Sequence, residues 1–482
     1  MNLAFRVDSS NLIGAGHLRR CLKLAEDLRY KCDKIIFITQ DLKNNFNKLI
    51  KKKNFKLVLI KKNETKKNIF KDLIATKKIC KIHAIDILVK DHYHLGNYWE
   101  KSIKKNVNKL VVIDDFTKQK HHCDIIFNNL NNKSVSKTKK CSGLEFVIIP
   151  SKLNKKKVKK KYITVGTFFG SSDNANCTKS FLEVFSHKSF NKFKFISVLG
   201  KNNNKKKMIK ENFKMKKNFK IVANYKKIND FINRIDILIT SGGVTSFEAI
   251  YLNKQCINVP INFYQKTNSN FQSKMKISRI FNYNNVFNKK QKLILLNLLL
   301  KKSNKSNYND NKLYLDEKGS KRISEILVPS KFEDAAISKA KSYEDCVDLF
   351  KLYNEKENLR NSFSQKKISF QKHLKWFKKK IIFKNSLIYI FRINNLCLGQ
   401  VRFDLIKKKR ALIDYSVDKI FRGRGWGKLM LAKAMLELNK NKKLKYFQAK
   451  VKKNNFKSIK IFNSLSFLKN SRGRYLEFRK SI

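Results

Sequence analysis

The chain has 482 residues, too many for one ordinary core, and its 109 Lys and Arg against 36 Asp and Glu give a formal net charge of +73. The basic residues are mostly Lys and are spread over the whole length beside abundant Asn, Ile and Phe, which argues against a polynucleotide face built from clustered Arg and aromatics. Nine scattered Cys with no CxxC or CxxH spacing, and no segment near the ~18 apolar residues of a membrane span, predict a cytoplasmic monomer with reduced thiols. No nucleic-acid, membrane or metal partner is expected, and the excess positive charge would steer an anionic ligand.

In chain order, short β-branched runs alternate with amphipathic stretches: Leu3 to Val7, Ile35 to Thr39, Leu57 to Ile60, Ile85 to Val89, Leu110 to Ile113 and Ile125 to Phe127. This is the grammar of a parallel α/β sheet. It repeats after Pro150, with strands predicted at Tyr162 to Val165, Phe195 to Leu199, Phe219 to Val222, Ile235 to Thr240 and Gln255 to Val259, and a buried helix at Leu293 to Leu300. After Pro329 the order changes to helix (Tyr343 to Asn354), helix (Ser369 to Lys379), three strands (Ser386 to Arg392, Leu396 to Asp404, Arg410 to Val417) and helix (Lys428 to Leu438), followed by strand, helix and strand. The expected architecture is two tandem Rossmann-like domains, 1–150 and 151–328, followed by an α+β domain at 332–482.

In open α/β sheets ligands sit beyond the carboxyl ends of the strands, so the loops there carry the candidate chemistry. After the first strand, Gly14 and Gly16 let the backbone approach a ligand, and His17 falls in the first turn of the following helix as a candidate general base. Two more such loops are Asp91-His92-Tyr93-His94 and Asp114-Asp115-Phe116. His121 and His122 lack the convergent partners a metal requires. In the second half, Ser241-Gly242-Gly243 opens a helix, and Glu248 on its next turn can accept hydrogen bonds from two ribose hydroxyls.

Taken in order, Arg6-Val7-Asp8-Ser9-Ser10 through Gly14-Ala15-Gly16-His17, then Asp91-His92-Tyr93, Asp114-Asp115, Ser241-Gly242-Gly243 with Glu248, and Asn270-Phe271-Gln272 resemble the nucleotide-sugar hydrolases of pseudaminic acid biosynthesis. Those enzymes act on UDP-2,4-diacetamido-2,4,6-trideoxy-β-L-altropyranose and share the two-domain fold of GT-B glycosyltransferases. The resemblance spans nearly all of residues 1–325. It implies that water attacks the anomeric carbon with His17 as base, and that Asp8, Ser9, Gly14, Gly16, Asp91, His92, Tyr93, Ser241, Gly242, Gly243, Glu248, Asn270 and Gln272 line the site. UDP is a good leaving group, so the two-carboxylate pair of ordinary glycosidases is not required. Thr167-Phe168-Phe169-Gly170 stands where the family has a tighter Gly-Gly pair.

In the third region, Arg422-Gly423-Arg424-Gly425-Trp426-Gly427 lies between a strand and a helix, a turn whose backbone N–H groups can cradle a pyrophosphate. It fits the Gln/Arg-x-x-Gly-x-Gly/Ala loop of the GNAT acetyltransferases, and Asn455-x-x-Ser458-x-x-x-Phe462 resembles that family's later helix. The resemblance implies acetyl-CoA as cosubstrate, held by residues 422–427, Asn455 and Ser458. Phe462 stands where many members have a Tyr that protonates the departing thiolate, and Ser466 replaces a Gly. Arg360-Asn361-Ser362 and His373-x-x-Trp376 resemble the members that acetylate nucleotide-linked amino sugars, and Arg360 or Arg402 could meet a phosphate. The expectation is a bifunctional enzyme that acetylates the 4-amino group of a UDP-linked amino sugar and then releases UDP. The alternatives are a GT-B glycosyltransferase fused to an acetyltransferase, and a basic nucleic-acid-binding protein, for which salt-sensitive RNA or DNA binding would be the mark.

Overall fold

A computed structural model describes residues 1–11, 13–60, 69–115, 120–128, 138–150, 153–154, 161–214, 216–223, 228–283, 287–300, 309–383, 385–406, 410–440 and 444–482. Leu12, Phe116 and the lysine run 155–160 lie outside them. The chain divides into two compact units, Met1–Ser324 and Glu325–Ile482.

The first unit holds two parallel sheets. The first sheet comprises β1 (Asn2–Val7), β2 (Lys34–Gln40), β3 (Lys56–Ile60), β4 (Ile87–Asp91), β5 (Lys109–Ile113), β6 (Ile125–Asn128) and β7 (Lys139–Ser142), in the order β3-β2-β1-β4-β5-β6-β7. Leu3, Ala4, Phe5 and Val7 are all fully buried, as expected for a central parallel strand covered on both faces. The second sheet runs β10-β9-β8-β11-β12-β13, from β8 (Thr164–Phe168), β9 (Lys194–Leu199), β10 (Phe219–Ala223), β11 (Ile237–Thr240), β12 (Gln255–Asn258) and β13 (Arg279–Ile280). In each sheet the strand order reverses beside the first strand, between β1 and β4 and between β8 and β11. The connections there diverge and leave a crevice.

Two strands escape the apolar pattern. β7 reads Lys-Lys-Cys-Ser with one buried residue, and β13 has only two residues, so their places come from pairing with β6 and β12. Strand β4 sits two residues later than its β-branched run suggests, which makes Asp91 a buried strand end. The helix Lys289–Leu300 buries Leu295 and Leu299 and exposes Leu293, Ile294 and Leu300, so the expected buried helix is a surface one. The helix Gly319–Leu327 returns to the first sheet's side: Ser320 donates to Asp27 at 2.5 Å, and Arg322 donates to the Glu145 carbonyl at 3.0 Å. Gly319 packs so closely on the Val147 carbonyl that a Cβ would lie 2.1 Å from it.

The second unit is a mixed sheet, β14-β15-β16-β17-β18-β20-β19, from β14 (Ala336–Lys339), β15 (Ser386–Ile393), β16 (Leu396–Ile406), β17 (Arg410–Val417), β18 (Tyr446–Lys452), β19 (Leu468–Arg472) and β20 (Tyr475–Ser481). All neighbours are antiparallel except β17 and β18. The helix Tyr343–Asn354 starts in a capping box, with Ser342 accepting from the Asp345 N–H and Asp345 accepting from the Ser342 N–H. A core of Phe391, Leu398, Val401, Phe403, Met430, Leu431, Leu438 and Phe478 joins the sheet to the helix Trp426–Asn439. The parallel pair is short: register runs from Arg410 opposite Tyr446 to Ile413 opposite Ala449, and β17 continues for four residues more. Beyond Ile413 the strands part, opening a cleft in the sheet itself. Among the described residues no helix is long and apolar enough to cross a membrane.

Candidate active sites in the two units

In the first unit, a cavity of about 730 Å³ lies over the crevice and is lined by loops from both sheets. Asp8, Gly16, His17, Arg20, His92, Tyr93 and Asp115 line it from the first sheet, and Gly242, Gly243, Tyr264 and Asn268 from the second.

The strand end Asp91 and the helix Gly16–Leu28 meet here. His17 Nδ1 lies 2.6 Å from Asp91 Oδ1, and Arg20, one helical turn on, donates to both Asp91 oxygens at 2.6 Å. Burial raises the Asp91 pKa, but the Arg20 guanidinium and His17 outweigh burial and hold the carboxyl well below the usual carboxylate range. An ionised carboxylate only accepts, so His17 Nδ1 must carry the proton it donates, and Nε2 is the nitrogen that accepts one. Arg20 also makes a fork to Asp115 at 2.7 and 2.9 Å, and Asp115 accepts from the Tyr93 hydroxyl at 3.1 Å. Tyr93 packs edge-on against His17 and stacks on Tyr264, at centroid distances of 4.3 and 4.9 Å.

His92 occupies a different chemical position. Its Nδ1 accepts from the His94 N–H at 3.1 Å, and its Nε2 faces Asp8 at 3.0 Å. Arg6 forks onto Asp8 at 2.6 and 3.0 Å and, despite the burial of that carboxyl, keeps it ionised, so His92 Nε2 is a donor and both ring nitrogens are engaged. Burial pushes the His92 pKa down further. Of His17 and His92, it is His17 that keeps a nitrogen suited to take a proton from a ligand.

Across the cavity, Gly242 and Gly243 precede the helix Val244–Tyr251. Gly242 has φ +82°, and a Cβ there would lie 2.2 Å from Ser269 Oγ, so only glycine fits. Asn268 donates to the Gly242 carbonyl at 2.6 Å, while its own carbonyl oxygen is buried with no partner among the described residues. A buried polar atom at a cavity wall is a place for a ligand donor. The other expected residues sit off the lining. Ser9 accepts from the Phe46 N–H, Gly14 donates to the Ser10 carbonyl, and Asp91 lies behind His17. Ser241 and Glu248 are buried, Asn270 is exposed, and Gln272 is fully buried between Asn258 and Ser246. Arg20, Asp72, Gln40, Tyr264 and Asn268 line the cavity without having been singled out in the sequence. The i, i+3 spacing of His17 and Arg20 on one helix face is the one signal that pointed to any of them. Among the described residues no group of three His, Cys, Asp or Glu is arranged to hold a metal.

In the second unit, the cleft between β17 and β18 continues into a cavity of about 930 Å³. Arg422, Gly423, Gly425, Trp426, Gly427, Asn455 and Ser458 line it. Gly423 and Gly425 have φ +79° and +76°, so the turn coils its backbone ahead of the helix Trp426–Asn439. The side chain of Arg422 is taken: it donates to the Val417 carbonyl at 3.0 Å, to Glu357 at 2.8 Å, to Glu355 at 2.5 Å and to Asn358 at 2.9 Å. What Arg422 can offer a ligand is its backbone. Arg424 lies off the lining, with its guanidinium over Trp426 and one nitrogen on the Glu325 carbonyl. Asn455 caps the helix Phe456–Ser464 by accepting from the Ser458 N–H at 3.3 Å.

The opposite wall of this cavity carries His373, Trp376, Gln400, Arg402 and Asp414. The Arg402 guanidinium lies 5.6 Å from the Trp376 ring centroid, and Gln400 donates to Asp414 at 2.8 Å. His373 is buried, which pushes its pKa down to about 4, and its Nε2 has no partner among the described residues. Arg360 is exposed and off the lining; its carbonyl accepts from Gln365 and Lys452.

Residues 347–467 match the acetyltransferase (GNAT) family. The C-terminal unit carries a GNAT acetyltransferase domain. Over its full length the chain is similar to an uncharacterised protein of Methanocaldococcus jannaschii, 23% identical over 525 residues and covering 99% of each. The crystal structure of MurG from Acinetobacter baumannii covers 68% of this chain and 99% of MurG at 11% identity with a TM-score of 0.52, a likeness of fold that gives the first unit its GT-B arrangement. The spermidine N-acetyltransferase of Vibrio cholerae, solved with CoA and spermine, covers 31% of this chain and 96% of its own length at 13% identity and a TM-score of 0.29.

Proposed function

We propose that the first unit hydrolyses a UDP-linked diacetamido sugar to UDP and free sugar, and that the GNAT domain acetylates the 4-amino group of a UDP-linked amino sugar with acetyl-CoA. The observation that carries the hydrolase reading is the Asp91–His17 pair, which leaves Nε2 as proton acceptor at the cavity. Water held by Nε2 attacks the anomeric carbon as the bond to UDP breaks, and the water proton passes to His17. The diphosphate leaves toward the backbone N–H groups that open the helix Val244–Tyr251, where the helix dipole favours negative charge. The Asn268 oxygen, without a partner among the described residues, supplies an acceptor for a donor on the nucleotide or sugar. In the GNAT domain, the turn at 423–427 receives the coenzyme's diphosphate, and the wall bearing Trp376 and Arg402 receives the acceptor.

The test incubates the full chain with acetyl-CoA and UDP-4-amino-4,6-dideoxy-N-acetyl-altrosamine, following free thiol and UDP separately. Thiol is expected first and UDP second, with no added sugar acceptor, and His17→Asn should lose UDP release while keeping thiol release. UDP release that required an added acceptor sugar would mark a glycosyltransferase instead. Unchanged UDP release in His17→Asn would refute the base assignment.

A further inference from the structure

Aminolysis of a thioester expels sulfur as a thiolate, and a proton donor in the cleft lowers that barrier. Phe462, on the helix Phe456–Ser464, is 2% exposed in the core and has no proton to give. The neighbouring strand supplies a phenol. Tyr415 lies two residues past the last paired position of β17 and β18, at the point where the strands part, and lines the cavity. Its hydroxyl is 2.9 Å from Ser458 Oγ, in the first turn of that helix, so it reaches across the gap between the strand and the helix. Phe462 meets the Tyr415 ring edge-on at 5.9 Å, and a Cβ at Gly427 would lie 3.5 Å from the same ring. The phenol thus lies against both the helix that follows the glycine turn and the helix that Asn455 caps.

We infer that Tyr415 is the acid of the acetyl transfer, handing its proton to the sulfur of coenzyme A, with Ser458 as the hydroxyl that orients it. The inference rests on acetyl-CoA as the donor. The acceptor nitrogen attacks the thioester carbonyl carbon, the C–N bond forms, the C–S bond breaks and its electron pair stays on sulfur. Tyr415 then protonates that sulfur, the nitrogen sheds its surplus proton to water at the cleft mouth, and the phenolate regains a proton from solvent through the Ser458 hydroxyl. Burial pushes the phenol's pKa up to about 12, against the pull of Ser458, so the proton is in place at neutral pH.

The test compares the full chain with Tyr415→Phe, which keeps the ring against Phe462 and Gly427. Three measurements are taken: CoA affinity by calorimetry, acetylation of the UDP-linked 4-amino sugar, and acceptor-free hydrolysis of acetyl-CoA. The variant should bind CoA within about twofold of the parent and lose roughly 10²-fold in kcat, with little change in KM for acetyl-CoA. Ser458→Ala should lose less. A parent that hydrolyses acetyl-CoA but ignores the sugar would refute the acceptor assignment and leave the Tyr415 comparison intact. Equal kcat in parent and Tyr415→Phe, in whichever reaction the parent catalyses, overturns the inference, as does a loss confined to CoA affinity.

Discussion

Replacing Asp91 by Asn tests the proposed hydrolase site at its hinge. Asp91 accepts from His17 Nδ1 at 2.6 Å and from Arg20 at both oxygens, and it is fully buried. The amide has one acceptor oxygen and one NH₂. With the oxygen kept by Arg20, the NH₂ faces His17 Nδ1, which must then accept, and the proton moves to Nε2. That tautomer cannot take a proton from water. General-base catalysis is worth about 10²- to 10⁴-fold, so kcat for UDP release should fall by roughly 10³, or about 4 kcal/mol. Breaking a buried ion pair costs about 3–5 kcal/mol of stability when the partner is left unpaired, but Arg20 retains its fork on Asp115, so the cost should sit at or below the lower end. The assay is steady-state UDP release beside thermal melting of both proteins, with KM within a few-fold of the parent. A folded Asp91→Asn protein that released UDP within threefold of the parent rate, while His17→Asn was inactive, would refute the tautomer reasoning.

Two further outcomes follow from other parts of the molecule. Gly425→Ala places a Cβ at φ +76° with no atom within 4 Å, so the fold should lose only the roughly 1–2 kcal/mol of left-handed strain while the new methyl group obstructs the diphosphate. Calorimetry should find CoA affinity weaker by about tenfold or more, and unchanged affinity would remove the turn from the coenzyme site. His121 is held between Glu100 at 2.8 Å and Asp114 at 2.9 Å; burial lowers its pKa, but the two carboxylates overcome burial and raise it from 6.5 to about 9. A raised histidine pKa stabilises the fold fully below the unfolded value and loses that contribution as pH climbs through the folded one. The first unit should therefore lose up to roughly 3 kcal/mol between about pH 6.5 and 9, and His121→Gln should flatten that limb in melts across the range.

The sheets were legible because most of their strands are apolar, β-branched runs, and the pattern fails where no such run exists, at β7, which reads Lys-Lys-Cys-Ser, and at the two-residue β13. The candidate sites were legible at the level of loops and much less at the level of side chains. Gly242 could be read in advance, since a tight turn at a strand end leaves no room for a Cβ, and a Cβ added there would lie 2.2 Å from Ser269 Oγ. Arg422 and Arg424 carry equal promise in a glycine turn, yet Glu355 and Glu357, some 65 residues earlier, capture one, and Trp426 draws the other aside. His17 and His92 look alike in sequence, each placed after a strand. What separates them is which of their nitrogens an ionised carboxylate occupies and whether a second group takes the other. The His94 N–H closes His92 and leaves it a buttress for Asp8, whereas the Asp91 contact leaves His17 Nε2 as the accepting nitrogen on which the proposed base role rests. Hydrogen-bond accounting at each ring, rather than residue type or spacing, thus assigns the chemistry. The same accounting moves the acetyl-transfer proton from the helix position that Phe462 occupies to the strand position of Tyr415.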